Sequence, residues 1–177
     1  MVPFNFGPAQ WIVYGAQRPG YPSKRVDADA VNQWIQFMKS AGILRVCCLL
    51  PDEQLEYYSL DLVAAYRQAF GDRNVCHAKV TDYHLCDAQV LNERILPFLR
   101  ESERLRMPVV VHCSGGSGRT GHVLAAWLVR DRGLTVRRAL SAVRDAGRNP
   151  EEAVQCEKAT YEELEALLIG ADAGTAP

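Results

Sequence analysis

The chain has 177 residues, 48% of them hydrophobic, and a formal net charge of −1. That length suits one domain with a full core. The charge balance excludes a basic nucleic-acid surface, no apolar run is long enough to span a membrane, and the six Cys lack metal-ligand spacing. With no signal-peptide pattern at the N-terminus, the thiols are expected to be reduced and the protein cytoplasmic, a monomer without metal or cofactor.

Residues 1–25 are rich in Pro and Gly around an apolar piece from Trp11 to Tyr14. Asp27 or Asp29 is placed to cap a helix running to Ala41, with Val31, Trp34, Ile35 and Met38 on one face and Gly42 at its end. Ile43 to Leu50 reads as a buried strand stopped by Pro51. Leu60 to Phe70 reads as a helix ended by Gly71, and Asn74 to Val80 as a strand. Asp87 opens a long helix reaching Arg104, with Val90, Leu91, Ile95, Phe98 and Leu99 as its apolar set. Met107 to His112 is expected to be the central strand. Helices follow at Thr120 to Arg132, Thr135 to Ala146 and Glu151 to Leu168. Residues 1–10 and 170–177 are expected to be less ordered. Strands separated by helices imply an α/β fold, a largely parallel sheet of about four to five strands with helices on both faces. No repeat or long linker divides residues 1–177, so they are read as one domain.

The most informative stretch is Val109 to Gly121, VVVHCSGGSGRTG. Three β-branched residues make a buried strand that runs into Cys113. Ser114, Gly115, Gly116, Ser117 and Gly118 carry little or no side chain, so successive backbone N–H groups are free to turn inward as an anion nest. The apolar helix that follows points its N-terminus at the same place, where its dipole favours negative charge. Arg119 supplies a planar fork matched to two phosphate oxygens. The same field favours the thiolate of Cys113, the nucleophilic form of a thiol. Thr120 is a candidate hydrogen-bond donor to that sulfur. The bare spacing Cys-x5-Arg recurs by chance; the strand before it, the glycines within it and the helix after it make it specific.

HCSGGSGRTG resembles the signature loop of the cysteine-dependent protein tyrosine phosphatases, and the length resembles their compact dual-specificity branch. The resemblance implies a protein tyrosine phosphatase-like fold. It also implies a phosphomonoester hydrolase that works through a phosphocysteine intermediate on a phosphoprotein partner. Ester hydrolysis needs a proton for the leaving oxygen and a base for the incoming water. Asp82, 31 residues before Cys113, resembles the general acid of compact members in its spacing. Asp87 is the rival but reads better as a helix cap, and His84 is a third candidate. His112 supports the nucleophile through a ring nitrogen, while His122 reads as packing. Arg18 and Arg148 sit in loops and are either substrate contacts or turn residues. Gln155 is the one candidate for the water-positioning Gln that relatives carry, yet it falls in a predicted helix. Cys48, with Cys47 and Cys86 as lesser candidates, is a possible redox partner for an oxidised Cys113. The loop contains no Lys, which favours phosphotyrosine, with phosphoserine and phosphothreonine next. Phosphoinositides, RNA 5′-triphosphates and a binding-only phosphopeptide module are the alternatives.

Overall fold

A computed structural model describes residues 3–170. Five strands form one sheet: β1 (Gly7–Gln10), β2 (Val13–Gln17), β3 (Arg45–Cys48), β4 (Val75–His77) and β5 (Val109–Cys113), in the order β1-β2-β5-β3-β4. β1 runs antiparallel to β2, and the β2–β5, β5–β3 and β3–β4 pairs are parallel. The parallel crossovers are helical, as such connections require.

The central strand β5 is buried at all five positions, and its alternation sorts the two cores. Val110 faces α1 (Ala28–Ser40) and α3 (Leu62–Phe70), packing with Trp34, Met38, Leu62 and Tyr66. Val109, Val111 and Cys113 face the other layer. There Leu91, Ile95 and Leu99 of a long helix meet Val123, Ala126 and Trp127 of α6 (Gly118–Arg132). That long helix consists of α4 (Ala88–Val90), a π turn over Leu91–Ile95, and α5 (Leu96–Leu105). α7 (Val136–Asp145) and α9 (Tyr161–Ile169) complete this face.

Local signals hold where they are strong. Asp27 caps α1, its side chain accepting from Ala30 N–H, and the four buried residues of that helix are Val31, Trp34, Ile35 and Met38. Asp87 caps the long helix through Val90 N–H at 3.0 Å. The sheet edge and the C-terminal helices depart from expectation. β1 arises in a segment with no periodic pattern, because its residues alternate only between exposed and half-buried on a sheet edge, where Pro8 is tolerated. The single helix expected over Glu151–Leu168 is two: α8 (Glu152–Gln155) and α9. Glu157 turns left-handed (φ 56°) between them. Thr160 then restarts the chain with a capping box, its hydroxyl accepting from Glu163 N–H while Glu163 accepts from Thr160 N–H.

Because β2, β3, β4 and β5 are parallel, their C-terminal ends open on one edge. The loops at 18–27, 49–61, 78–87 and 114–117 therefore converge there, where ligands gather in open α/β sheets. α2 (Asp52–Leu55) lies in the second of these loops.

Candidate active site

Cys113 ends β5 and is 2% exposed. The four residues after it lead directly into α6, so Arg119 already lies in the first helical turn. The loop's carbonyls are tied outward one after another. Ser114 O accepts from Arg18 N–H (3.0 Å), Gly115 O from Asn5 Nδ2 (3.3 Å), and Gly116 O from the Arg148 guanidinium. A peptide's N–H points opposite its C=O. The amides of Gly115, Gly116 and Ser117 are thereby turned to the inside of the loop, as an anion nest needs.

Glycine is required at the tightest point. Gly116 has φ +70°, and a Cβ there would sit 2.5 Å from the Ala16 backbone carbonyl. Gly116→Ala combines left-handed strain with a clash against β2. It is expected to cost about 1–3 kcal/mol, a fall in melting temperature of roughly 2–4 °C per kcal/mol for a chain this size, readable by thermal denaturation.

Arg18 and Arg148 are structural props for the loop. Arg18 is 1% exposed; it donates through Nε to Ser114 Oγ (3.1 Å), through Nη1 to Pro19 O (3.1 Å) and through Nη2 to Ser23 O (2.7 Å). Arg148, also buried, reaches under Gly15 to the carbonyls of Gly116 and Asn5. The two loop hydroxyls serve the same scaffold: Ser114 accepts from Arg18, and Ser117 from Asn149 N–H (3.2 Å).

Arg119 closes the front. Its Nη2 pairs with Asp82 Oδ1 at 2.7 Å, and its Nη1 donates to Gln54 Oε1 (2.9 Å) and Val80 O (3.2 Å). Gln54 Nε2 donates in turn to Asp82 Oδ2 (2.7 Å), making a closed triangle of guanidinium, carboxylate and amide. The structure thus brings Asp82 to the Cys113–Arg119 loop, while Asp87 stays on the long helix as its cap. Arg119 Nε and Thr120 Oγ1 are buried without hydrogen-bond partners among the described residues. Thr120 makes no hydrogen bond to Cys113 in this arrangement.

Two histidines hold the frame. His112 lies edge-on to Trp34 and Tyr66 with its Nδ1 3.3 Å from Cys113 O. His122 Nε2 accepts from Cys86 N–H (3.0 Å), fastening the loop that carries Asp82 to α6. Burial pushes both rings down to about 3, so each is neutral across the physiological range. His84 is exposed and bonds Asp82 O through Nδ1. Gln155 is exposed too, its Oε1 held by Asn149 Nδ2.

Cys48 pairs in register with His112 and lies in the α1–α3 core, whereas Cys113 lies in the α6 core. The pleat sends their side chains to opposite faces, and burial pushes the Cys48 thiol up to about 12.

Gln54 and Glu152 carry no sequence signal of their own. Gln54 is a buried glutamine, an uncommon state, and its partners lie in other loops. Glu152 sits against the first turn of α6: a Cβ on Gly118 would fall 2.6 Å from its Cδ.

A family model described as "Polymorphic toxin system, DSP-PTPase phosphatase" matches residues 21–133. Among solved structures, Tk-PTP in its active form is 27% identical; the match covers 93% of this chain and 98% of that one, with a TM-score of 0.69. Kinase associated phosphatase, solved with its catalytic-site cysteine replaced by serine, is 23% identical over 92% of this chain and 89% of its own, with a TM-score of 0.71. PTPMT1 in complex with PI(5)P is 13% identical over 94% and 96% of the two chains, with a TM-score of 0.67. The last two share the fold.

Proposed function

We propose a reaction from one premise: the chain belongs to the DSP-PTPase phosphatase family. As a phosphatase it is read here as acting on phosphoprotein, with phosphotyrosine preferred and phosphoserine and phosphothreonine next. The observation that carries the mechanism is the outward tethering of three consecutive loop carbonyls around a buried cysteine.

In this reading the Cys113 thiolate attacks phosphorus in line. The inward amides of residues 115–117 and the Arg119 fork hold the equatorial oxygens. Charge stabilisation by donors fixed in advance is the largest catalytic contribution, each well-placed donor being worth about 10²–10³-fold. The Arg119–Asp82 pair has a direct consequence. When the dianion takes the guanidinium, the Asp82 carboxylate is released from it, takes up a proton from solvent and passes that proton to the departing oxygen. Gln54, bonded to both, steers that exchange. Water then cleaves the S–P bond and regenerates the thiolate.

The substrate reading rests on the loop interior, Ser-Gly-Gly-Ser-Gly, which offers no cation beyond Arg119 to a polyphosphorylated headgroup. Steady release of para-nitrophenol from para-nitrophenyl phosphate, undiminished by chelator, is the expected result for the purified protein. No turnover under those conditions overturns the reading. A phosphotyrosine peptide is expected to give a higher kcat/KM than a short-chain phosphoinositide; the opposite order reassigns the substrate.

A further inference from the structure

Cys47 and Cys76 stand opposite one another on the parallel pair β3–β4. The shared register sends both side chains to one face of the sheet, into the core beneath α6 and the long helix. Neighbouring strands lie about 4.7–4.9 Å apart, inside the Cα separation of about 4.4–6.8 Å that a disulfide spans. Both thiols are free, and the Cys47 S–H donates to the Cys76 sulfur. Cys47 is fully buried, whereas Cys76 is half-buried in β4, the short strand at the sheet edge. Cys48 is turned away, into the α1–α3 core.

Two guanidinium groups bracket the same strand. Arg45 Nη2 donates to Arg73 O (3.2 Å) and Arg94 Nη2 to His77 O (2.7 Å), on either side of Cys76 along the chain. The bond from Cys47 draws the Cys76 thiol down from its ordinary value; burial opposes this, and Arg94 and Arg45 assist it. The same bond, together with burial, pushes the Cys47 thiol up. A half-exposed sulfur that favours the thiolate is the one an oxidant reaches first, and a thiol already bonded to it is placed to resolve the product.

We propose that Cys47 and Cys76 form an oxidation site that takes hydrogen peroxide as its oxidant and closes to a disulfide. The site is separate from Cys113 and needs nothing from the reaction read there. The Cys76 thiolate attacks one peroxide oxygen. An S–O bond forms, the O–O bond breaks, and the departing hydroxide takes a proton from solvent to become water. The Cys47 sulfur then attacks the Cys76 sulfenic acid. The S–S bond forms, the S–O bond breaks, and the Cys47 proton leaves with the hydroxyl as a second water. Two thiols and one peroxide thus give one disulfide and two waters. The link staples the edge strand β4 to β3, just ahead of the loops that carry Asp82 and Gln54 to Arg119.

The test is oxidation of the folded protein with hydrogen peroxide, alkylation of the remaining thiols, and tryptic mass mapping. It is run on wild type, Cys113→Ser and Cys76→Ser. Trypsin places Cys47 and Cys48 in peptide 46–67 and Cys76 in peptide 74–79. These peptides are expected to be joined in wild type and in Cys113→Ser, with fragmentation placing the bond on Cys47, and to part again in dithiothreitol. Cys76→Ser is expected to leave Cys47 reduced, because a buried thiol without its partner escapes the oxidant. Unlinked peptides at a peroxide dose that oxidises Cys113 overturn the assignment. So does a bond on Cys48, a link from Cys47 to Cys113 in place of Cys76, or a link that forms only in denaturant.

Discussion

Cys113→Ser is expected to lower kcat for para-nitrophenyl phosphate on the order of 10⁶-fold, the scale reached when a covalent nucleophile is removed. A hydroxyl is a weak nucleophile unless a base sits beside it, and among the described residues none is placed to serve Cys113. His112 offers Nδ1 to the Cys113 carbonyl, while its Nε2 is buried among α1 and α3 on the other face. Asp82 faces Arg119. The substitution changes little else. Cys113 is a buried residue at a strand end, and the loop that follows is held by Arg18, Asn5 and Arg148 through its backbone, not through the sulfur. The variant is therefore expected to bind a phosphotyrosine peptide about as tightly as the wild type binds its substrate, without consuming it. Calorimetry on the variant together with a progress curve reads both halves. Hydrolysis by Cys113→Ser at a rate near wild type removes the covalent mechanism altogether.

The elements legible in the sequence are those fixed by neighbours along the chain. Val109 to Val111 announce a buried strand, Asp27 and Asp87 announce caps, and the small residues after Cys113 announce a loop whose amides are free to turn inward. Each of these depends on residues within one turn or one strand. What was not legible depends on strand order. Arg18 and Gln54 meet the 114–119 segment only because β2 and β3 flank β5 in parallel, and no local pattern encodes that order. The same topology turns Arg18 and Arg148 from candidate substrate contacts into props whose donors are committed to backbone and hydroxyl oxygens. Cys48 shows the converse. Its position near the end of a neighbouring strand was readable, but the pleat places its sulfur on the face away from Cys113. The break before α9 was available in the sequence, since Thr160 and Glu163 stand at capping-box spacing; an apolar period running across it concealed the restart.

Asp82→Ala is expected to lower kcat by about 10²–10⁴-fold, the usual contribution of a general acid, with Asp87→Ala close to wild type in kcat. The contrast follows from where each carboxylate is spent. Asp87 Oδ1 holds Val90 N–H, so its loss removes a helix cap worth about 1 kcal/mol. That loss lowers the melting temperature, leaving the chemistry intact. Asp82 pairs with Arg119 and Gln54 at the loop itself. Its removal has a second effect of opposite sign on binding. The unliganded protein currently satisfies the buried Arg119 guanidinium with the Asp82 carboxylate, and an incoming dianion must displace it. Without Asp82 that competition is gone, so inorganic phosphate is expected to inhibit Asp82→Ala at lower concentration than wild type while kcat falls. A merely destabilised loop would weaken both. The loss in kcat is expected to be steeper for phenyl phosphate than for para-nitrophenyl phosphate, because the poorer leaving group depends more on receiving a proton. Steady-state kinetics on the two esters with phosphate inhibition decide it. A larger loss for Asp87→Ala reassigns the acid, and weaker phosphate inhibition of Asp82→Ala contradicts the displacement of Asp82 from Arg119.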